Sequence, residues 1–438
     1  MGRDGELSLG ARVEARVDPE DRLSPSLSAR LEDGRSITLS GALPGERVVA
    51  EIEHISQKKR LFGRVISILE ASPHRIAPSC RHFLRCGGCD YLHLDPAEEL
   101  RHKRRDLEEV LGLEVSEVIA SPRPLGYRAL AKLVVGPDGT LGSYAAYSHR
   151  LVDMQGCLVH APLVESIADA LRAVLRPAPP RGLRYALIRG AFFDGRAVVT
   201  LVFRALEDPG ALPLAEALAA RPEVARVVVA QNDSDSDALL VGGPERVLLD
   251  RGWPVERVGP VEQWLDAGAF AQVNPAAAAL LYARAAALAA PKGKSVLDLY
   301  SGSGGLGLTM AEAGARAVFM IERVEEAVEA ARRAASRRGG PVPVEALAAS
   351  VSAASLRDRR AEVIVANPPR GGLAAEVVEA LAEKAPFRLV YVSCNPVTLA
   401  RDRTLLRSRA RLTQETLVGV DLFPRTRHLE ALYAADVS

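Results

Sequence analysis

Cysteine is scarce in this chain, with five residues among 438. A small, odd number in a chain this long excludes a disulfide framework as the organising device. Long hydrophobic runs are missing too: nowhere do about 18 apolar residues follow one another, so no transmembrane helix and no membrane association are expected. The first residues, Met1-Gly2-Arg3-Asp4-Gly5-Glu6, lack the apolar stretch of a secretory signal, which points to the cytoplasm. Net charge is only +1, so the chain as a whole is not a polycation for nucleic acid. Aromatic residues make up 5%, and the accompanying richness in Ala and Arg carries little functional content. What remains is 48% hydrophobic and 25% charged, a globular composition. At roughly 150 residues per domain, two to three domains are expected. No internal repeat or heptad pattern is visible, so a monomer is expected.

Charge is unevenly spread. Residues 54–105 hold 11 Lys and Arg against 5 Asp and Glu, a local net of +6, and five of the eight histidines. Such a stripe suits a phosphate backbone, although a solvated face has the same composition. Residues 1–70 read as short strands (Ile37-Thr38-Leu39, Val48–Ile52, Gly63–Ile66) separated by turns such as Asp33-Gly34 and Pro44-Gly45, the pattern of a small barrel. Residues 71–260 mix strands (Ala131–Val135, Ala197–Phe203, Arg226–Ala230) with helices over 97–111 and Val164–Leu175. From 261 to 438 strands and helices alternate. The strands read as Ser295–Tyr300, Ala317–Ile321, Val363–Ala366, Leu389–Ser393, Leu417–Leu422 and Leu429–Ala434. That alternation predicts a doubly wound α/β sheet.

Five constellations carry chemistry. In Val296-Leu-Asp298-Leu-Tyr300-Ser-Gly302-Ser-Gly304-Gly305-Leu-Gly307, a buried strand runs through a glycine turn into a helix, and the glycines let the backbone approach a ligand. Glu322, 20 residues after Gly302, can accept hydrogen bonds from ribose hydroxyls. This pattern fits NAD and S-adenosylmethionine (SAM) alike. Asp298 leans towards SAM. The second constellation, Asn367-Pro-Pro-Arg370, ends another strand. Its prolines stiffen the loop at the sheet edge where ligands bind, and NAD enzymes do not need it. The third is Ser393-Cys394-Asn395-Pro396. A buried structural cysteine is the plainer fate, but a strand-end thiol beside Asn-Pro suits a nucleophile. Fourth, in Phe423-Pro-Arg-Thr426-Arg-His428-Leu-Glu430, His428 and Glu430 fall on one face of an extended chain, and Glu430 can serve as a general base. Fifth, Cys80, Cys86-Gly-Gly-Cys89 and the distant Cys157 suit an iron–sulfur cluster or an all-cysteine zinc site.

Together with Phe270-Ala-Gln272-Val-Asn274, these motifs span nearly the whole chain, which resembles the RNA uracil-5 methyltransferases of the 23S rRNA type. The resemblance implies a multidomain chain. It has an OB-like TRAM barrel over 1–70, also suggested by Leu43-Pro44-Gly45-Glu46. A central α+β domain with an iron–sulfur cluster and an RNA-binding surface follows over 71–260. A Rossmann-like SAM-dependent methyltransferase domain completes it over 261–438. It implies a [4Fe–4S] cluster on Cys80, Cys86, Cys89 and Cys157, with a structural or RNA-positioning role. It assigns Gln272, Tyr300, Gly302, Gly304, Gly305, Glu322 and Asn367 to the SAM pocket. Cys394 becomes the nucleophile at carbon 6 of uracil and Glu430 the base at carbon 5, on a base flipped out of its stack. The chain departs from many members in having Asn367 where they carry Asp. Its segment Glu345-Ala346-Leu347-Ala348 has no adenine-contacting Asp or Asn.

The expected activity is therefore methylation of a uridine in 23S rRNA. A tRNA T-loop uracil-5 methyltransferase and a non-catalytic iron–sulfur RNA-binding protein are the alternatives, with an NAD oxidoreductase further away. Methyl transfer that survives Cys394→Ala would overturn the leading expectation.

Overall fold

The computed structural model describes residues 7–145, 148, 150–234, 243–265 and 271–438. They fall into two compact units. The smaller takes the chain up to Lys103 together with Tyr144–Val152 and Arg425–Arg427. The larger takes Arg104–Ser143, Asp153–Pro424 and His428–Ser438.

The smaller unit is built on a closed barrel of β1 (Arg12–Val17), β2 (Ser26–Leu31), β3 (Ser36–Ser40), β4 (Arg47–Ile55) and β5 (Leu61–Glu70), in the order β1-β2-β3-β5-β4. Period-two alternation fills it: Ala15 and Val17, Ile37 and Leu39, and Val48, Ala50 and Ile52 all point inward. At Gly63 a Cβ would stand 2.7 Å from Glu51 O, so only glycine lets β5 cross β4 this closely. Glu46, fully buried, holds the barrel to the segment that follows. Its Oε1 accepts from Arg75 Nε (2.5 Å) and Ser72 N–H (3.1 Å), and its Oε2 from Arg75 Nη2 (2.7 Å) and Leu43 N–H (2.8 Å).

Next along the chain come α1 (Pro96–Leu111) and β6 (Val115–Ile119). A seven-stranded mixed sheet uses β7 (Leu130–Val135), β8 (Leu141–Tyr144), β9 (Leu151–Asp153), β10 (Leu183–Gly190), β11 (Ala197–Phe203), β12 (Val224–Gln231) and β13 (Glu245–Asp250), in the order β13-β12-β11-β10-β7-β8-β9. Helices α2 (Pro162–Leu175) and α3 (Ala211–Ala219) pack on it, and a hairpin of β14 (Val255–Val258) and β15 (Val261–Trp264) follows.

The rest of the larger unit alternates: α4 (Pro275–Ala289), β16 (Ser295–Leu299), α5 (Gly305–Glu312), β17 (Ala317–Glu322), α6 (Glu325–Arg338), β18 (Val344–Ala348), α7 (Ala353–Leu356), β19 (Val363–Ala366), α8 (Ala375–Ala382), β20 (Phe387–Ser393), α9 (Pro396–Arg409), β21 (Leu412–Val420) and β22 (Glu430–Val437). The sheet order is β18-β17-β16-β19-β20-β22-β21-β6. Its central strands β19 and β20 are almost wholly apolar and buried because both faces are covered. Val296, Val363, Val365, Val390 and Val392 enter the cluster with Leu281 and Ala285 of α4. Leu297, Leu299, Ile364, Leu389 and Tyr391 enter the opposite one, with Val377 of α8 and Leu399 of α9. The doubly wound expectation for this region therefore holds, and the strand at 363–366 falls where it was expected.

Three details differ from the sequence expectation. The first strand ends at Leu299, because Tyr300 turns to φ 60. Residues 344–348 form a strand of their own. The strand expected from Leu417 begins at Leu412, and its register slips between Thr413 and Thr416, where Gln414 has φ 47.

Glu46→Ala leaves Arg75 without its buried partner and is expected to destabilise the fold by about 3–5 kcal/mol, read as a lowered urea midpoint.

Candidate active site

In an open α/β sheet the order reverses at one point, and ligands bind there, outside the carboxyl ends of the strands. Here that point lies between β16 and β19. β16 leads into Tyr300 and Gly302, β19 into Asn367 and β20 into Cys394. One cavity is walled by Tyr300, Gly302, Ser303, Gly305 and Asn367, with Asp298, Gln263 and Tyr282. Of the residues expected at a SAM pocket, Tyr300, Gly302, Gly305 and Asn367 are thus brought together. Gly304, Gln272 and Glu322 stand outside that wall. Gln272 is buried next to Ala271, which does line it. Phe270 lies outside the described residues.

The turn is shaped by its glycines. Gly302 and Gly304 have φ 53 and 84, and Gly304 caps α5. A Cβ on Gly307 would stand 2.7 Å from Asp298 Oδ2 and 2.9 Å from Met320 Sδ, so the glycine lets α5 sit tight on β16. A Cβ on Gly305 would meet Tyr282 at 2.9 Å. Tyr300 holds a left-handed φ without being glycine, a strain retained only where its surroundings over-determine it. Glu322 closes the turn from β17: Oε2 accepts the Gly302 N–H (3.0 Å) and Oε1 those of Arg323 (2.7 Å) and Val324 (2.9 Å). A carboxylate offers about four acceptor positions, so capacity for a ribose hydroxyl remains.

Asp298 is fully buried and neither of its oxygens has a well-formed hydrogen bond, the Gly307 amide being the one donor that acts on it. Burial pushes its carboxyl up to about 8, with Glu322 adding to the rise and the Gly307 amide opposing it. A poorly partnered buried carboxyl beside a glycine cradle fits a polar, positively charged ligand such as SAM.

Cys394 and Glu430 meet at the same sheet edge. β22 runs antiparallel to β20 and its register ends on Ser393 opposite Ala431, with Cys394 and Glu430 as the residues that flank that last pair. Cys394 is half-buried and Glu430 buried. Burial pushes the Cys394 thiol up, the charge of Glu430 adds to the rise, and a hydrogen bond and charge from Arg370 oppose it. Burial pushes Glu430 up to about 7, again opposed by Arg370. Arg370 was legible in its motif but not as a partner of both groups, since only the fold brings it to them. Gln263 and Tyr282 carry no motif signal at all. His428 makes an edge-on contact with Phe423, 6.2 Å between ring centres.

The cysteine segment shows donors that suit sulfur ligands. The His82 N–H lies 3.4 Å from Cys80 Sγ, and the Gly88 N–H lies 3.3 Å from Cys86 Sγ. Amide donors of this kind are what iron–sulfur thiolates use. Burial would push the Cys157 thiol up, but a hydrogen bond and charge from His160 outweigh it and hold it low. Among the described residues no three or more His, Cys, Asp or Glu side chains are grouped to hold a metal ion. The amide donors around Cys80 and Cys86 therefore fit sulfur ligands of a metal group. Among those residues no helix is long and apolar enough to cross a membrane.

Fold and glycine turn define a Rossmann-like methyltransferase domain. Residues 263–391 match the methyltransferase small domain, and residues 349–434 match the tRNA (uracil-5-)-methyltransferase family. A relative from Gloeobacter violaceus, an uncharacterized RNA methyltransferase, is 35% identical over 92% of each chain. One from Caldanaerobacter subterraneus, described in the same words, is 32% identical over 91% of this chain and 93% of its own. The solved structure of Pyrococcus abyssi tRNA (uracil-54, C5)-methyltransferase with S-adenosyl-L-homocysteine is 25% identical, with a TM-score of 0.76, and covers 96% of this chain and 99% of its own. The chain belongs to the RNA uracil-5 methyltransferase family and is a SAM-dependent RNA methyltransferase.

A carboxyl whose folded pKa is raised binds its proton more tightly folded than unfolded, so the fold loses stability as pH rises from the ordinary carboxylate range to about 7. Glu430→Gln removes that loss. Its stability is expected to exceed the wild type's by up to about 3 kcal/mol at pH 8 and to come close to it at pH 5, read as a higher melting temperature at pH 8 only.

Proposed function

We propose that the protein methylates carbon 5 of a specific uridine in 23S rRNA through a covalent cysteine–uracil adduct. The observation that supports this reading is the pairing of Ser393 with Ala431, which leaves Cys394 and the buried Glu430 flanking the same end of the β20–β22 ladder. Carbon 5 of uracil is a poor nucleophile. The Cys394 thiolate adds to carbon 6, and the electrons of the double bond move to oxygen 4 as an enolate. Carbon 5 is now nucleophilic and accepts a methyl group, which SAM supplies. Glu430 then takes the carbon-5 proton, the carbon 6–Sγ bond breaks, the double bond reforms and Cys394 leaves as a thiolate. Arg370 offsets the burial of that thiolate. Gln272, Tyr300, Gly302, Gly304, Gly305, Glu322 and Asn367 form the SAM site in this reading, with Glu322 on the ribose.

Residues 1–70 serve as a TRAM-like RNA-binding barrel, 71–260 as a central domain and 261–438 as the methyltransferase domain. Cys80, Cys86, Cys89 and Cys157 hold a [4Fe–4S] cluster with a structural or RNA-positioning role, since uracil methylation needs no electron. The protein acts as a cytoplasmic monomer.

A second substrate, the tRNA T-loop, is favoured by the likeness to the tRNA (uracil-54, C5) enzyme. That likeness extends over 96% of the chain, so the barrel and cysteine segment do not by themselves separate the two RNAs.

Anaerobically purified protein incubated with SAM and either unmodified rRNA or unmodified tRNA is expected to yield 5-methyluridine in the rRNA, read by nucleoside mass spectrometry. The product in tRNA alone keeps the chemistry and replaces the substrate, and no product in either overturns the reading. Cys394→Ala is expected to abolish transfer while SAM still binds. Glu430→Gln is expected to slow turnover by about 10²–10⁴-fold and to accumulate an RNA-linked protein band. Wild-type turnover should rise with pH through about 7 as Glu430 ionises.

A further inference from the structure

We propose that Asp402 is a positioning residue: from α9 it fastens the Arg370–Leu373 loop in place and so holds the Arg370 side chain against Cys394. The proposal rests on Cys394 being the nucleophile.

Asp402 is 3% exposed. Its Oδ2 accepts the Leu373 N–H (2.7 Å) and the Tyr391 O–H (2.7 Å). Tyr391 lies on β20 three residues before Cys394, so one oxygen ties the loop to the strand that carries the thiol. Its Oδ1 accepts Arg401 Nε (2.8 Å) and Nη2 (2.6 Å). Arg401 Nη2 also donates to Gly371 O (2.8 Å) and Leu373 O (3.0 Å). At the other end of the loop, Arg370 O accepts from Asn395 Nδ2 (3.0 Å) and Thr398 Oγ1 (3.3 Å). Gly372 has φ 73, and a Cβ there would stand 2.5 Å from Asp402 Oδ2, so the loop lies directly on the carboxylate.

A loop with Gly371 and Gly372 at its centre has no stiffness of its own. Its shape comes from these bonds to α9 and the residue that caps it. The charged groups acting on Cys394 are Glu430 of β22, which opposes a thiolate, and Arg370 of the loop, which favours one. Glu430 is fixed by strand pairing, whereas Arg370 depends on the loop. Loosening the loop therefore removes the favourable charge and leaves the unfavourable one. Removing the Asp402 charge by itself would act in the opposite sense, towards the thiolate, so the two effects differ in sign.

The test is the rate of iodoacetamide alkylation of Cys394 against pH in the full-length protein, followed by mass spectrometry of its peptide. Asp402→Ala is expected to move the midpoint up by about one unit, roughly tenfold less thiolate at a given pH below it. Asp402→Asn keeps an acceptor oxygen and is expected to stay near the wild-type midpoint. Arg401→Ala removes a half-exposed side chain and serves if Asp402→Ala does not fold; its midpoint is expected to move up by less. An unchanged or lowered midpoint in the alanine variants overturns the proposal, as does an Asn variant that moves as far as Ala. Wild-type protein alkylated at Cys394 that still methylates RNA overturns the nucleophile assignment instead, whatever the midpoints.

Discussion

The active edge depends on one reversed strand. β22 enters the sheet between β20 and β21 and runs against both. In a purely parallel sheet the start of a strand lies at the edge opposite its neighbours' carboxyl ends. Reversal brings the first residue of β22, Glu430, to the edge where β20 delivers Cys394. The side chains behind that edge are apolar on both faces of the sheet, so a carboxylate placed there is buried and retains its proton to higher pH than usual. Strand direction thus sets both the proximity of the two groups and the proton affinity of one.

The same edge holds two other costly arrangements, the poorly partnered Asp298 carboxyl and the left-handed Tyr300. Buried, poorly partnered carboxyls and backbone strain gather where a fold is shaped for a ligand instead of for its own stability. Both sit at the reversal point of the sheet order, and Gly307 in the helix that follows lets α5 approach β16 closely enough to bury the carboxyl. The Asn367–Leu373 loop adds a third such element. Its prolines, its two glycines and its bonds to α9 give it a shape that it would not hold alone.

Much of this was legible beforehand. The alternation of apolar runs and helical segments beyond residue 261 reads as a doubly wound sheet because its central strands, such as Val363–Ala366, are buried apolar runs. Asn367 and Cys394 could be placed at strand ends because Pro368, Pro369 and Pro396 stand close after them. Less visible was the strand at Val344–Ala348, a short Ala-rich run whose five residues carry little hydrophobic signal. The strand at Val115–Ile119 was equally hidden as part of this sheet. It pairs with β21 some 300 residues further on, and nothing local announces such a partner. Arg370 and Asp402 showed only as charged residues, one in a motif and one on a helix.

The sequence by itself determined which chemistry is present: a glycine turn after a buried strand, a thiol and a carboxylate at strand ends, and thiols spaced for a metal. These are properties of residue type and short-range spacing, and short-range spacing is carried by the backbone alone. Only the tertiary structure decided which of those groups face one another. The register of β20 with β22, the burial of Asp298 and Glu430, and the arrival of Arg370 beside Cys394 and Glu430 all follow from long-range pairing and packing. Proton affinity obeys the same division, because it depends on what water is excluded and which charges stand nearby, and both are set by the fold.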